Sequence, residues 1–190
     1  MKIIHFLSKQ ASRKNLYNFI YDSVKKIRKK NFRILNIGSG GEIEDELKKY
    51  FDNLYSIDID KKRNPSQIID LCDKDFKKKI KFKPNLVCIF EVLEHTKDPK
   101  LAINNIYKIL KKNDYCLASV PFNFHIHDEP NDFWRFTFYG LKFLFKDFSD
   151  VKIKIRNGWL DSIFVNIIRL EKENNFFSKI RSEEHTSELQ

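Results

Sequence analysis

The sequence contains few glycines, few cysteines and no long apolar run, and each scarcity excludes a class of protein. Its 190 residues include five glycines and three cysteines. Cys72, Cys88 and Cys116 are odd in number and widely spaced, which fits buried thiols in a reducing compartment rather than disulfides or a metal site. No run of about 18 apolar residues occurs, and Met1–Leu7 is too short for a signal peptide. We therefore expect a cytoplasmic protein without a transmembrane segment.

Positive charge, in contrast, is abundant. Lys and Arg number 36 against 26 Asp and Glu, for a formal net charge of +10. Lysines cluster at 25–30, 77–83 and 111–112, where we expect helix ends and loops. An anionic partner such as nucleic acid is one interpretation. Basic and aromatic residues do not interleave strongly, so a solvated surface is the favoured interpretation and no nucleic-acid partner is expected.

Three of the five glycines lie within Gly38–Gly41, directly after the apolar run Ile34–Ile37. The following segment, Glu42–Phe51, has acidic residues first and lysines later, as expected of a helix. A strand, a glycine turn and a helix N-terminus together form the phosphate- or carboxylate-binding corner of a nucleotide fold. A second strand is predicted over Leu54–Asp60, with Asp58 placed to bind ribose hydroxyls.

Strands and helices alternate along the rest of the chain, which predicts an α/β fold. We expect a Rossmann-like, doubly wound, mostly parallel sheet with helices on both faces. An N-terminal helical segment at 1–31 precedes the core at 32–156. Further strands are predicted near 67–70, 86–90, 115–120 and 151–156, and further helices from Asp98–Pro99 and from Thr137.

The glycine spacing departs from two common nucleotide-binding patterns. A dinucleotide fingerprint has glycines at 38, 40 and 43, and Ile43 would crowd the pyrophosphate. The shorter turn of S-adenosylmethionine enzymes has glycines at 38, 40 and 42, where this chain has Glu42. The segment resembles motif I of the class I S-adenosylmethionine-dependent methyltransferases, with Asn36 at the position of their acidic residue.

Three further segments resemble the same family in the same order, so that the resemblance spans about residues 33–145. Ile69–Asp73 resembles the acidic turn after the third strand. Pro84–Pro99 resembles the fourth strand and the "EVLEH…DP" loop of type 11-like members. His125–Thr137 resembles the "HEP.DYWRFT" segment of one branch. The combination is far more specific than any single segment.

The resemblance implies S-adenosylmethionine as cofactor and an unidentified methyl acceptor, expected to be a small molecule. The glycine turn would bind the methionine part, Asp58 the ribose and Asp70 with Leu71 the adenine, whereas Glu91 would line the methionine or acceptor side. The complete set of expected cofactor residues is Gly38, Ser39, Gly40, Asp58, Ile59, Asp70, Leu71 and Glu91. The oligomeric state is not predicted.

His95 and His127 are the candidate catalytic bases, since methyl transfer can require removal of a proton from the acceptor. Asp128 and Glu129 follow His127 and could raise its pKa. His95 could instead be a loop histidine bonded to backbone, and His127 a residue that only shapes the acceptor pocket. No His/Cys cluster has metal-ligand spacing, so no metal is expected. Two alternatives stay open: a catalytically inactive cofactor-binding module, and an NAD-dependent oxidoreductase.

The last ten residues, Arg181–Gln190, match one reading frame of a common DNA-sequencing adapter. We therefore expect the native domain to span 1–180, with the coding sequence cut near Ile180 and a non-native tail after it. In this family the sheet ends in an antiparallel hairpin. The apolar spacing of 163–170 favours a helix, so the seventh strand would be lost and the sheet would end in a poorly paired, aggregation-prone edge.

Overall fold

The computed structural model describes residues 2–27 and 31–167, with side chains from Arg13 onward. Its Cα positions form two compact units, Phe19–Lys154 and a smaller one from Met1–Asn18 with Ile155–Gln190. In the smaller unit, Asn15 Nδ2 donates to Asn157 Oδ1 at 3.3 Å. The single domain at 1–180 stays a prediction, and the tail at 181–190 lies outside the described residues.

The larger unit contains a sheet of five strands, all parallel, with the spatial order β3-β2-β1-β4-β5. This arrangement confirms the predicted α/β, Rossmann-like fold. The strands are β1 (Ile34–Ile37), β2 (Leu54–Asp58), β3 (Gln67–Ile68), β4 (Leu86–Phe90) and β5 (Tyr115–Ser119).

Helices and short 3-10 turns lie between successive strands, as parallel pairing requires, with one further helix before β1 and another after β5. They are α1 (Lys2–Lys26), α2 (Gly41–Lys48), α3 (Phe76–Lys79), α4 (Pro99–Ile109) and α5 (Phe138–Leu144), with 3-10 turns at Lys61–Arg63 and Leu93–His95. The predicted N-cap at Asp98 is confirmed, and Thr137, where a helix was predicted to begin, is the N-cap of α5. Asp98 Oδ1 accepts from Leu101 N at 2.9 Å, and Thr137 Oγ1 accepts from Gly140 N at 3.0 Å.

The hydrophobic core lies against the central strands. Every residue of β1 and β4 is buried, which is the pattern of parallel strands covered on both faces. Phe76 of α3 and Ile106 of α4 are fully buried in the same cluster. Asn105 of α4 is buried beside them, and its Nδ2 donates to the carbonyl oxygens of Leu71 and Asp73 at 2.8 and 2.9 Å. This side chain connects α4 to the turn that follows β3.

The end of the described chain departs from prediction in one place. The sixth strand predicted at 151–156 is wrong, because these residues form no regular structure and Ile155 is 87% exposed. Only Val151 packs against the core cluster. A strand needs a neighbour for its backbone hydrogen bonds, and within the described residues β5 pairs with β4 alone. The predicted helix is present at 159–167. Residues 168–170 lie outside the described residues, so the predicted loss of a seventh strand stays a prediction.

Across residues 2–27 and 31–167, none of the helices combines the length and the apolar character needed to cross a bilayer.

We expect Asn105→Ala to lower the free energy of unfolding by about 1–3 kcal/mol, since it leaves two inward-facing carbonyl oxygens without their shared donor. Denaturant unfolding of the purified protein measures the change. Asn104→Ala is the matched control, because Asn104 lies on the same helix and is only half-buried. Equal losses for the two variants would show that the bonds from Asn105 add no stability.

Candidate cofactor and acceptor site

The parallel sheet brings the predicted site residues to one edge. Gly38–Gly41 follow β1, Asp58 ends β2, Asp70 and Leu71 follow β3, and Glu91 follows β4. The strand order reverses between β1 and β4, and ligands of open α/β sheets bind in the crevice at such a switch point. The predicted cofactor residues therefore lie around one crevice, although their individual roles stay predictions.

The glycine turn depends on backbone angles that other residues rarely adopt. Gly38, Gly40 and Gly41 have φ angles of 90°, 75° and 74°. Gly38 N donates to the carbonyl of Ile57 in β2 at 3.0 Å. A Cβ atom at Gly38 would lie 2.5 Å from Cγ2 of Val92, which follows β4. The turn is thus fitted between the ends of β2 and β4, where only glycine leaves enough room.

A buried carboxylate that sequence reasoning did not identify lies beneath this turn. Glu44 Oε2 accepts from Gly40 N at 2.8 Å, from Asn36 Nδ2 at 3.2 Å and from Ser39 Oγ at 3.3 Å. Lys48 Nζ lies 2.8 Å from Oε1. Glu44 thus places a carboxylate next to Asn36, which stands at the position of the acidic residue in the methyltransferases that this segment resembles. Glu42, which raised the question of a blocked turn, is exposed instead.

Opposing effects act on the pKa of Glu44. Burial raises the pKa, but the hydrogen bonds from Lys48, Gly40 and Asn36 and the charge of Lys48 outweigh burial. The net result is a pKa below the usual value of 4.5. Glu44 is therefore a carboxylate at neutral pH that stabilises the glycine turn.

Asp58 is joined to the turn from the neighbouring strand. Its Oδ2 accepts from Ser39 N at 2.9 Å and its Oδ1 from Asp60 N at 2.9 Å. Arg63 lies near it, with Nε 3.9 Å from Oδ2. Each carboxylate oxygen can accept more than one hydrogen bond, so Asp58 retains capacity for two ligand hydroxyls. Ile59, directly after it, is 71% exposed.

Beyond β3, Asp70 and Leu71 differ in their surroundings. Asp70 is exposed, and its Oδ1 accepts from Cys72 N at 2.7 Å. Leu71 is buried in the core cluster. A ligand at this point would meet the Asp70 carboxylate and the backbone of the turn rather than the Leu71 side chain.

Glu91 follows β4 with a φ angle of 53°, which is uncommon for a residue with a side chain. Its Oε1 accepts from Ser119 Oγ at 2.7 Å, and its backbone N donates to the carbonyl of Ser119 at 3.0 Å. Strained backbone of this kind is concentrated at functional sites. The side chain is half-buried at the edge of the crevice.

The loop after β5 lies over the 3-10 turn Leu93–His95. The backbone nitrogens of Phe133 and Trp134 both donate to the carbonyl of Glu94, at 2.9 and 3.2 Å. Trp134 Nε1 donates to the carbonyl of Thr96 at 2.8 Å. These bonds bring together the two histidines predicted as bases, with the ring centroids of His95 and His127 4.8 Å apart.

An ion pair within this loop orients His127. Asp132 accepts two hydrogen bonds from Arg135, both of 2.6 Å, and lies 3.1 Å from His127 Nδ1. The guanidinium holds the pKa of Asp132 far below its usual value against the opposing effect of burial. Arg135 also donates to the carbonyls of Phe124 and His125. The donors of Arg135 are thus used to shape the loop.

Glu94 is the second acid that sequence reasoning did not single out. Its side chain is 0% exposed, and neither carboxylate oxygen has a hydrogen-bond partner among the described residues. Burial, with a contribution from the charge of Glu91, raises its pKa to about 8. One carboxylate oxygen of Glu94 and one ring nitrogen each of His95 and His127 all lie within 4.8 Å of one another.

No sequence signal identified this group or the Glu44 contacts. Metal ligands are recognised in a sequence by close spacing, and His127 is far from His95 along the chain. The acid at 44 lies in a helix whose first turn contains several acids, so its sequence neighbours did not distinguish it. The helical period that turns Glu44 inward and leaves Glu42 exposed was the usable signal.

Fold and site together define an α/β protein with a nucleotide-type binding corner at the switch point of its sheet. A family model described as a methyltransferase domain matches residues 2–146. The chain therefore belongs to this methyltransferase domain family, as its motifs led us to expect. Comparison with curated proteins and with solved structures gives no match.

The pairing of Glu44 predicts a pH-dependent stability. At neutral pH, Glu44→Gln should lower the free energy of unfolding by about 1–3 kcal/mol, because the hydrogen-bonded carboxylate is lost. Because the folded-state pKa is lowered, this contribution is present above pH 4.5 and disappears as pH falls through the folded pKa. Denaturant unfolding of both proteins between pH 7 and pH 3 measures it. Glu42→Gln is the exposed control, and a pH-independent difference would contradict this account.

The close approach of Gly38 to Val92 predicts that alanine substitutions at Gly38 and Gly41 lower the free energy of unfolding by different amounts. Gly41→Ala should lower the free energy of unfolding by about 1–2 kcal/mol because of its positive φ angle alone, since nothing lies within 4 Å of the added Cβ. Gly38→Ala should cost more because of the contact with Val92, and Val92→Ala should remove part of that excess. A double-mutant cycle of unfolding free energies tests this coupling. Additive effects of the changes at 38 and 92 would rule out the contact.

Proposed function

We propose that this chain is an S-adenosylmethionine-dependent methyltransferase that acts on a small-molecule acceptor. The observation that carries the proposal is the glycine turn at the switch point, with Asp58 and Glu91 on its two sides, in a chain of the methyltransferase domain family. The family supports methyl transfer; the cofactor and the acceptor class are our proposals.

The residues at the crevice fit this cofactor. Gly38 and Gly40 have no side chain to obstruct a ligand's methionine part, and the side chain of Ser39 between them is buried against Glu44. Ser39 N and Gly40 N are fixed by Asp58 and Glu44. Asp58 would accept from the ribose hydroxyls beside Ile59. Asp70 and the backbone at Leu71 would meet the adenine, and Glu91 would border the methionine and acceptor side.

The chemistry demanded of the protein is mainly alignment. When bound, S-adenosylmethionine supplies a methyl group on a sulfonium centre that an acceptor displaces directly. The chain's residues would orient the two reactants and exclude water, and such alignment is worth several kcal/mol. The hydrogen bonds from Ser39 N to Asp58 and from Gly40 N to Glu44 give the turn the rigidity that alignment needs.

The acceptor would lie beside the loop that carries His127. Nδ1 of His127 lies 3.3 Å from the carbonyl of His125, which can only accept, and 3.1 Å from Asp132 Oδ2, so the other ring nitrogen, Nε2, is the one available to remove an acceptor proton. His95 offers Nε2 in the same way, since its Nδ1 lies 2.9 Å from the carbonyl of Asn131. Exposed aromatic rings at Phe122 and Phe133 of the same loop favour an acceptor with an apolar portion.

The two alternative functions, an inactive cofactor-binding module and an NAD-dependent oxidoreductase, would each require a different structure at the glycine turn. An inactive binding module would be favoured by a blocked turn, but Glu42 is exposed and Glu44 lies beneath the turn rather than in the crevice. An NAD-dependent oxidoreductase would need space for a pyrophosphate where Ile43 stands. A cytoplasmic location stays our prediction, supported by three free cysteines.

Calorimetric titration with S-adenosylhomocysteine, S-adenosylmethionine and NAD tests the cofactor assignment. We expect both sulfur compounds to bind and NAD not to bind. Asp58→Ala should weaken S-adenosylhomocysteine binding by about 1–3 kcal/mol, because ligand hydroxyls lose their acceptor. Asp52→Ala is the control, since Asp52 is exposed and precedes β2 at the opposite end of the strand. Binding of NAD alone would overturn the proposal, and unchanged affinity in Asp58→Ala would remove this residue from the pocket.

A further inference from the structure

We infer that Glu94, His95 and His127 bind a divalent transition-metal cation. One potential ligand atom from each residue lies within 4.8 Å of the other two. The inference concerns cation binding itself, so it is independent of the proposed cofactor and of methyl transfer.

The first support is the buried carboxylate of Glu94. Its side chain is inaccessible to solvent, and both oxygens lack a hydrogen-bond partner among the described residues. The closest basic group is His95, whose Nε2 lies 3.8 Å from Oε1, beyond hydrogen-bond length. Buried polar groups in folded proteins almost always have partners, and an unpartnered one is costly. A cation among these side chains would supply the partner that Glu94 lacks.

The second support is the orientation of the histidines. The carbonyl of Asn131, 2.9 Å from His95 Nδ1, can only accept, so Nδ1 carries the proton and Nε2 presents its lone pair near Glu94. The carbonyl of His125 stands in the same relation to Nδ1 of His127, at 3.3 Å, and the Asp132 carboxylate lies 3.1 Å from the same nitrogen. Metal-binding histidines characteristically donate their second ring N–H to a carbonyl or a carboxylate. Both histidines thus have the outer partners of metal ligands.

The donor set points to the kind of cation. Two imidazoles with one carboxylate suit Zn²⁺, Mn²⁺, Fe²⁺ or Co²⁺, whereas Mg²⁺ and Ca²⁺ prefer oxygen ligands throughout. Ligands about 2.1 Å from a tetrahedral cation are about 3.4 Å apart, so binding would draw the three side chains together by about 1 Å. The histidines are 21% and 24% exposed, which gives a cation an entry path and leaves a coordination position open.

The location suggests what the cation would do. Val92, two residues before Glu94, contacts the glycine turn at Gly38, so the cation would stand next to the proposed cofactor crevice. An open coordination position there could bind an acceptor oxygen or nitrogen and favour loss of its proton. The cation would then replace a histidine as the means of activating the acceptor, because a ring nitrogen bound to a metal cannot also take up a proton.

Metal titration of the full chain tests this inference directly. The protein is prepared without a polyhistidine tag, freed of metal with a chelator and titrated with Zn²⁺ in competition with a chromophoric chelator. Titration with Co²⁺, followed by its visible absorption, reports the ligand type. We expect one tight site per chain. Glu94→Gln and His127→Asn should each weaken it at least about 100-fold, since even outer partners of metal ligands contribute about 10–100-fold.

Two control variants separate this site from other ligands in the chain. His125→Asn removes a neighbouring imidazole outside the group, and Cys72→Ser removes a half-buried thiol; both should bind the metal as the unaltered protein does. Zn²⁺ should also raise the melting temperature of the unaltered protein but not that of Glu94→Gln, whose metal-free melting curve shows that it is folded. Absence of a tight site, or a site that survives Glu94→Gln or disappears in Cys72→Ser, would overturn the inference.

Discussion

The approach of Gly38 to the ends of two strands is the constraint on which the geometry of the proposed cofactor site depends. Its amide donates to β2 at Ile57, and its α-carbon lies where any side chain would meet Val92 after β4. Because β1 pairs with both strands in parallel register, all three strands end at the same edge of the sheet. The turn can therefore meet Asp58 at the end of one neighbour and Val92 after the other only while position 38 has no side chain.

Two buried acids flank this crevice, and their surroundings give them opposite properties. Glu44 is surrounded by donors from Gly40, Asn36, Ser39 and Lys48, so its charge is stabilised and its pKa is lowered. Glu94 has no such donors among the residues that the structure describes, and its pKa is raised. The first acid stabilises a backbone shape. The carboxylate oxygens of the second acid, Glu94, need a partner that only a ligand, a proton or a cation can provide.

The parts of the fold that were predictable from sequence follow from local patterns. The apolar run of β1, the glycine turn and the Asp98 cap are short-range signals, and each is confirmed within a residue or two. The strand predicted at 151–156 failed because alternation of Val151 and Ile153 indicates one buried face but not a neighbouring strand. Glu94 and His127 could not be associated from sequence, since hydrogen bonds between distant segments bring them together.

The two sides of the site therefore differ in how the fold builds them. The side proposed for the cofactor consists of strand ends. Their positions are set by the backbone hydrogen bonds of the sheet rather than by any single side chain. The acceptor side depends on a loop joined to the turn at Glu94 by two backbone bonds, by Trp134 and by the internal pair of Asp132 with Arg135. Changes in that loop can alter the surroundings of His127 without disturbing the glycine turn. If the proposed function holds, the same sheet would retain one cofactor while the loop after β5 would determine which acceptor is bound.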